Sequence, residues 1–272
     1  MIIYMYLLLG IIAGIAVPLC TGMVDSVSDI WIIILAAIAF AAGLILLHIL
    51  VVASGCLFIN RHKEPKSLKN CFRIAALSVL DIFLPLIGAN VKVEGAERLP
   101  KEPFMLVCNH RSLIDAVAIV SVFKKHSVTF VTKKENSRLP VVGKYMVKLG
   151  CLFLDREDTR AAVKTINKAA DTIKSGMASV AICPEGTRNR TDELLLPFHA
   201  GSFKIAQKAK CPIAVVSVWG TDELKKHPVF KRTKIYVDVI DVISAERVTE
   251  LRSGQLADMT RELIGKNLER YI

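Results

Sequence analysis

The first 60 residues contain neither Lys nor Arg, and their only acids are Asp25 and Asp29. Within them, residues 2–20 and 30–59 are nearly unbroken apolar runs. A helix needs about 20 apolar residues to cross hydrocarbon. Both runs are long enough, and the second has length left over for tilt. A cleaved secretory leader is the rival reading of the first run, but the run lacks the basic start that a leader carries. Basic residues begin abruptly at Arg61, followed by His62, Lys63, Lys66 and Lys69. The positive-inside rule then predicts a helical hairpin over 1–60 with both ends in the cytoplasm. Everything from residue 61 onward is expected on the cytoplasmic side of the cell membrane. His48 lies within the second run. An intramembrane His can mark function, but a neutral His beside a polar neighbour is the simpler reading.

Charge divides the 272-residue chain in the same place. All 36 Lys and Arg fall after residue 60 with 23 of the 25 Asp and Glu, so the net +11 is a −2 head joined to a +13 body. A cation-free apolar head on a basic body suits anionic lipid or an anionic substrate. Nucleic acid is the competing partner for such a charge. It is disfavoured because the body has no regularly spaced stacking aromatics, no helix-turn-helix pattern and no zinc pattern. At 53% hydrophobic residues the chain is not disordered. Its seven cysteines form no C-x-x-C pair. Cys108, Cys151, Cys183 and Cys211 sit in apolar runs and read as small hydrophobes in a reducing compartment. No spacing suits a metal, and no cofactor is expected.

Residues 61–90 read as a linker carrying an interfacial helix over 67–88, ended by Pro85 and Gly88. From 91 to 272 short apolar runs alternate with helical patterns. The strand candidates are 91–94, 104–108, 128–132, 151–154, 179–183, 213–218 and 234–242. Helices are expected near 113–124, 139–149, 158–175, 201–209 and 246–270. This alternation predicts an α/β domain with a largely parallel sheet and flanking helices. Ligands of such sheets gather at the carboxyl ends of the strands.

The strand exits are where the chemistry lies. The 104–108 run leads into Asn109-His110-Arg111-Ser112-Leu113-Ile114-Asp115, and 128–132 into Lys133-Lys134-Glu135. Asp155-Arg156 follows 151–154, and Pro184-Glu185-Gly186-Thr187-Arg188 follows 179–183. One sheet edge would thus collect cations around a single His–Asp pair, a setting for a phosphate and a proton transfer. Five residues apart on one helix, His110 and Asp115 would point about 140° away from each other. With His110 ending a strand and Asp115 in the next helix's first turn, the carboxylate can fold back onto the imidazole. Asp115 then fixes the tautomer and leaves the other nitrogen as a general base. Ser112 as a nucleophile is disfavoured, since it lacks a G-x-S-x-G elbow.

Taken in order, the blocks Asn109–Asp115, Lys133–Glu135, Gly150–Arg156, Pro184–Asn189 and Lys210–Val216 resemble the 1-acylglycerol-3-phosphate acyltransferase family, within the wider glycerolipid acyltransferases. The resemblance covers roughly residues 91–220, and the two-span head is similar to the bacterial type. It implies transfer of a fatty acyl group from an acyl-CoA or acyl-carrier-protein thioester to the free sn-2 hydroxyl of lysophosphatidate, giving phosphatidate. It implies His110 as base and Asp115 as its charge partner. Glu185, Gly186, Thr187 and Arg188 match the block that contacts the acceptor, Asn109 beside the base is likewise expected to bind substrate, and Lys133 and Arg156 match phosphate-binding positions. Pro212 matches the final block, expected near an acyl or thioester channel, though a structural role suits it better. Cys183 stands where the family often has Phe, and Asn189 where it often has Ser; neither change removes a group the chemistry needs. Another lysolipid acceptor is the alternative within the fold, and a non-catalytic lipid-binding protein a remote one.

Overall fold

The structure, a computed structural model, describes residues 2–272 apart from 62, 64, 66, 69 and 227–230. His62, Lys66 and Lys69 of the basic cluster therefore lie outside the described residues, while Arg61 and Lys63 are exposed. Two helices form the head, α1 (Ile2–Cys20) and α2 (Ile30–Gly55). They cross at small residues. A Cβ added at Gly14 would lie 2.4 Å from the backbone nitrogen of Ala37, and one at Gly10 2.7 Å from the Ala41 Cβ. Small residues four apart let two helix backbones approach this closely where water supplies no hydrophobic drive. The connecting turn is closed by Asp29, whose Oδ2 accepts from the backbone N–H groups of Asp25 and Ser26. Away from this seam the hairpin presents bare apolar side chains, among them Leu8, Trp31, Leu47 and Val51. Both helices are long and apolar enough to cross a membrane.

Helix α3 (Cys71–Leu86) starts at Asn70, whose side chain accepts from the Arg73 N–H. It bridges the head and the α/β body. On one side Ser78 bonds His48 Nε2 at 2.9 Å, and His48 Nδ1 in turn bonds the Tyr6 hydroxyl at 2.8 Å, tying α1, α2 and α3 together. This is the polar neighbour expected for His48. On the other side Ile82 is buried, and the buried Arg73 guanidinium donates to the carbonyls of His126 and Val128. Only residues such as Ile74 remain fully outward.

Seven strands follow: β1 (Ala89–Glu94), β2 (Met105–Cys108), β3 (Val128–Lys133), β4 (Leu152–Leu154), β5 (Ser179–Ile182), β6 (Ile213–Trp219) and β7 (Thr233–Ile243). All seven fall on the strand candidates, with ends shifted by one or two residues. Their order is β1-β7-β6-β2-β5-β3-β4. From β6 to β4 every pairing is parallel; β7 runs antiparallel to β6, and β1 is parallel to β7. Alternate residues point to opposite faces. Val107, Ile182 and Val215 pack with helices α6 (Thr159–Lys174), α7 (Lys204–Ala209) and α9 (Ser253–Leu268). Cys108, Ala181 and Val216 pack with α4 (Ile114–Val122) on the other face. The result is a three-layer α/β domain.

The helical segment expected over 246–270 is two helices, α8 (Ala245–Glu250) and α9. Leu251 and Arg252 between them are extended; the Gln207 side chain donates to the Leu251 carbonyl, and Arg252 N–H donates to Gln255, capping α9. Helix α5 (Val142–Lys148) starts three residues later than expected, after Pro140 and a Val141 held at φ 54°.

Candidate active site

The parallel strands deliver their exits to one edge, at one level. Val107 pairs with Ile182, Phe130 with Ala181, and Lys133 with Leu154, so His110, Glu185, Lys133 and Arg156 leave neighbouring strands almost side by side. With about 4.8 Å between strands, β3 lies roughly 10 Å from β2 and β4 roughly 14 Å.

At the centre, His110 Nδ1 sits 2.9 Å from Asp115 Oδ2. The fold-back comes from α4 beginning right after the loop, which places Asp115 in its first turn. There the same Oδ2 accepts the backbone N–H groups of Arg111 and Ser112, both at 2.8 Å. The backbone of the loop leading into α4 thus stabilises the negative charge. Oδ1 accepts from the Thr221 hydroxyl at 2.5 Å. Asp115 is buried, and both oxygens are used. An ionised carboxylate only accepts, so His110 presents Nδ1–H to it and leaves Nε2 with a free lone pair. Burial by itself pushes the imidazole pKa down, but the Asp115 hydrogen bond, with further raising from Cys183 and Glu185, leaves it above the ordinary 6.5.

The main chain of His110 is clamped as firmly as its ring. Its N–H donates to Glu185 Oε1 at 2.6 Å, and its carbonyl accepts from Asn189 N at 2.7 Å. Glu185 is buried; its second oxygen accepts the Leu196 N–H, and burial raises its pKa. The family block around Glu185 therefore splits. Glu185 faces inward and holds the His110 main chain, while Thr187 is exposed and Arg188 half-buried. Gly186 takes φ 69°, and a Cβ there would meet the His199 ring at 2.8 Å. Asn109 is fully buried, with its amide spent on both backbone groups of Val218 in β6. That geometry makes it a clasp between strands.

The cations differ in freedom. Lys133 pairs with Glu135 at 3.2 Å and Lys134 with Asp155 at 2.7 Å. Arg188 and Arg156 make no hydrogen bond or ion pair among the described residues. Ser112 is buried, and its hydroxyl accepts from the Ile114 N–H, which removes it as a nucleophile. Pro212 lies at the amino end of β6, where its carbonyl accepts from Met105 N. It is at the opposite edge of the sheet from His110.

Sequence reasoning missed the exit of β6. Trp219-Gly220-Thr221-Asp222 supplies the Thr221 hydroxyl and also Asp222, which binds Arg111 Nε at 3.0 Å. The signal was present in Gly220, which takes φ 84° and whose Cβ would strike the Lys234 carbonyl at 2.4 Å. Only a residue without a side chain allows that tight exit.

A His–Asp pair at the carboxyl edge of a mostly parallel sheet defines the class, an α/β protein with its polar site at the strand exits. The acyltransferase family model matches residues 90–219. A Saccharomyces cerevisiae protein named 1-acyl-sn-glycerol-3-phosphate acyltransferase is 36% identical over 180 residues, 65% of this chain and 59% of that protein. One from Mycoplasma genitalium, named a probable 1-acyl-sn-glycerol-3-phosphate acyltransferase, is 30% identical over 68% of this chain and 73% of its own length. The crystal structure of the 1-acyl-sn-glycerophosphate acyltransferase PlsC from Thermotoga maritima superposes with TM-score 0.57 at 25% identity, covering 84% of this chain and 95% of that one. The chain belongs to the acyltransferase family. It spans 59% and 62% of the length of the yeast and sheep relatives.

Proposed function

We propose that the chain is a membrane-bound 1-acylglycerol-3-phosphate O-acyltransferase, with α1 and α2 crossing the cell membrane and the α/β domain on its cytoplasmic side. The observation that carries the reading is the free Nε2 of His110, oriented by Asp115 at a cation-lined edge. In the reaction the sn-2 hydroxyl of lysophosphatidate attacks the carbonyl carbon of an acyl thioester. The new C–O bond forms as the hydroxyl proton passes to His110 Nε2. The C–S bond then breaks, and the imidazolium returns that proton to the departing thiolate, so the products are phosphatidate and a free thiol. Asp115 stabilises the imidazolium between the two transfers. The thioester, from acyl-CoA or acyl carrier protein, is a co-substrate, and no cofactor is needed. Arg188, in the loop that leaves β5 beside the His110 strand, offers a planar fork to the acceptor phosphate, with Lys133 and Arg156 further along the edge.

Thiol release by the detergent-solubilised chain, measured over a matrix of thioester donors and lysolipid acceptors, tests this. Release should depend on lysophosphatidate. His110→Ala should lower turnover by roughly 10²–10⁴-fold without loss of fold. Retention of more than about a tenth of the rate would remove His110 as the base. Faster release with another lysolipid would reassign the acceptor.

A further inference from the structure

Apart from the His110 edge, a cleft of about 560 Å3 runs along β4, the outermost strand of the sheet, beside α6. Its walls include Cys151 and Phe153 at β4, Thr165 and Lys168 on α6, and two arginines from distant parts of the chain, Arg61 and Arg138. No Asp or Glu lines it among the described residues. Arg61 and Arg138 make no hydrogen bond or ion pair among those residues either.

Both arginines are held where the apolar head ends. Arg61 follows the buried Ile59 by two residues. Arg138 directly precedes an outward apolar tip, in which Leu139, Val141 and Val142 are exposed. Val141 in this tip sits at φ 54°, a region that β-branched residues rarely enter. The tip leads into α5, and α5 is fastened to the end of α2. The Tyr145 hydroxyl donates to the Val52 carbonyl at 2.6 Å, and Lys144 Nζ to the Cys56 carbonyl at 2.9 Å. The cleft, its arginines and the apolar tip therefore lie at the level where α2 leaves its apolar stretch.

We propose that this cleft binds the phosphate head group of an anionic phospholipid, with Arg61 and Arg138 on the phosphate and Leu139, Val141 and Val142 against the adjoining acyl chains. Arginine forks match phosphate oxygens, and the apolar tip has no use for a soluble anion. A lipid satisfies both features. The inference rests on α2 spanning the membrane but not on acyl transfer itself.

Native mass spectrometry of the full chain in detergent micelles, titrated with phosphatidylglycerol or phosphatidylcholine, tests it. The wild type should retain phosphatidylglycerol in preference to phosphatidylcholine. Arg61→Gln with Arg138→Gln should weaken that preference about tenfold or more, since each cation at an anionic surface contributes several-fold. Arg61→Lys with Arg138→Lys should keep most of it. Excess glycerol 3-phosphate should leave the lipid in place. An unchanged preference in the double Gln variant would overturn the site, and displacement by glycerol 3-phosphate would overturn the lipid as its ligand. Should the double variant not fold, Arg138→Gln alone, on an exposed turn, reads the same loss at several-fold. No hydrogen bond or ion pair joins either arginine to His110 or Asp115 among the described residues, so folded variants should turn over in detergent like the wild type. A chain inactive in acyl transfer would still leave the lipid measurement standing.

Discussion

Thr221 holds the one oxygen of Asp115 that the His110 ring and the loop N–H groups of Arg111 and Ser112 leave over. Thr221→Val keeps the side-chain shape and removes that donor. A buried carboxylate short of a donor becomes a stronger acceptor for His110, and an unpaired buried polar group costs about 1–3 kcal/mol. The imidazole pKa is already raised, so the neutral base is populated only as pH climbs past a point above 6.5. In Thr221→Val the acidic limb of the kcat/KM profile should move to still higher pH; in Thr221→Ser it should stay. In Asp115→Asn it should move the other way, because the group that holds the proton is gone, and the maximal rate should fall steeply. An unmoved limb in Thr221→Val would leave Thr221 with a packing role only. Arg188 is the matching case for binding. Arg188→Ala should raise the acceptor KM about tenfold, with little change for the thioester, and Arg188→Lys should recover part of that. Steady-state kinetics with each substrate varied in turn reads both. The pairing of His110 with Asp115 was legible from five-residue spacing plus a strand-to-helix turn. The inward roles of Glu185 and Asn109 were not. Sequence shows that a polar residue stands at a strand exit, but which way it faces depends on backbone groups contributed by residues 11 and 109 positions away.

At the scale of elements, strands were read well because burial on both faces makes each a short apolar run bounded by polar exits. Parallel order followed from the alternation with helices, but the reversed edge pair β7 and β1 did not. That reversal depends on the β6–β7 connection, where the chain turns back on itself instead of crossing over. Helix ends were misjudged where tertiary contacts end a periodic pattern, as at Leu251. Gly10 and Gly14, which sequence reasoning passed over, sit against Ala41 and Ala37 on α2. Because the nearest atoms at Gly14 are backbone, a side chain there cannot be absorbed by a rotamer change. Gly14→Leu should therefore push α1 from α2 and strain the Tyr6–His48–Ser78 bonds that fasten α3. The expected outcome is a thermal midpoint in detergent lowered by several degrees, consistent with a loss of about 1–3 kcal/mol. The Gly43→Leu control, with nothing within 4 Å of its added Cβ, should behave like the wild type.

At the scale of the whole molecule, two distributions must agree. The apolar head has no cation, and the body has all 36. The reaction proposed for the His110 edge draws on a thioester made in the cytosol, and Arg61 marks the point where the chain leaves its second apolar run. If α1 and α2 form a spanning hairpin, the turn around Val27 must lie on the far side of the membrane from His110. Val27 is 90% exposed, and its side chain takes no part in the Asp29 cap, so a thiol placed there reports on that side without disturbing the turn. In intact cells a membrane-impermeant maleimide should label Val27→Cys in a background with the native cysteines replaced. A single thiol at Cys71, exposed at the start of α3, should react only after the membrane is opened. The reverse pattern would place the acid–base site outside, away from its donor, and would contradict the cation distribution. Labelling of both thiols in intact cells would mean that the hairpin does not cross and instead lies along the surface, with its exposed Trp31 and Leu47 in the interface. The orientation reading would then fall while the acid–base geometry at His110 stood unchanged.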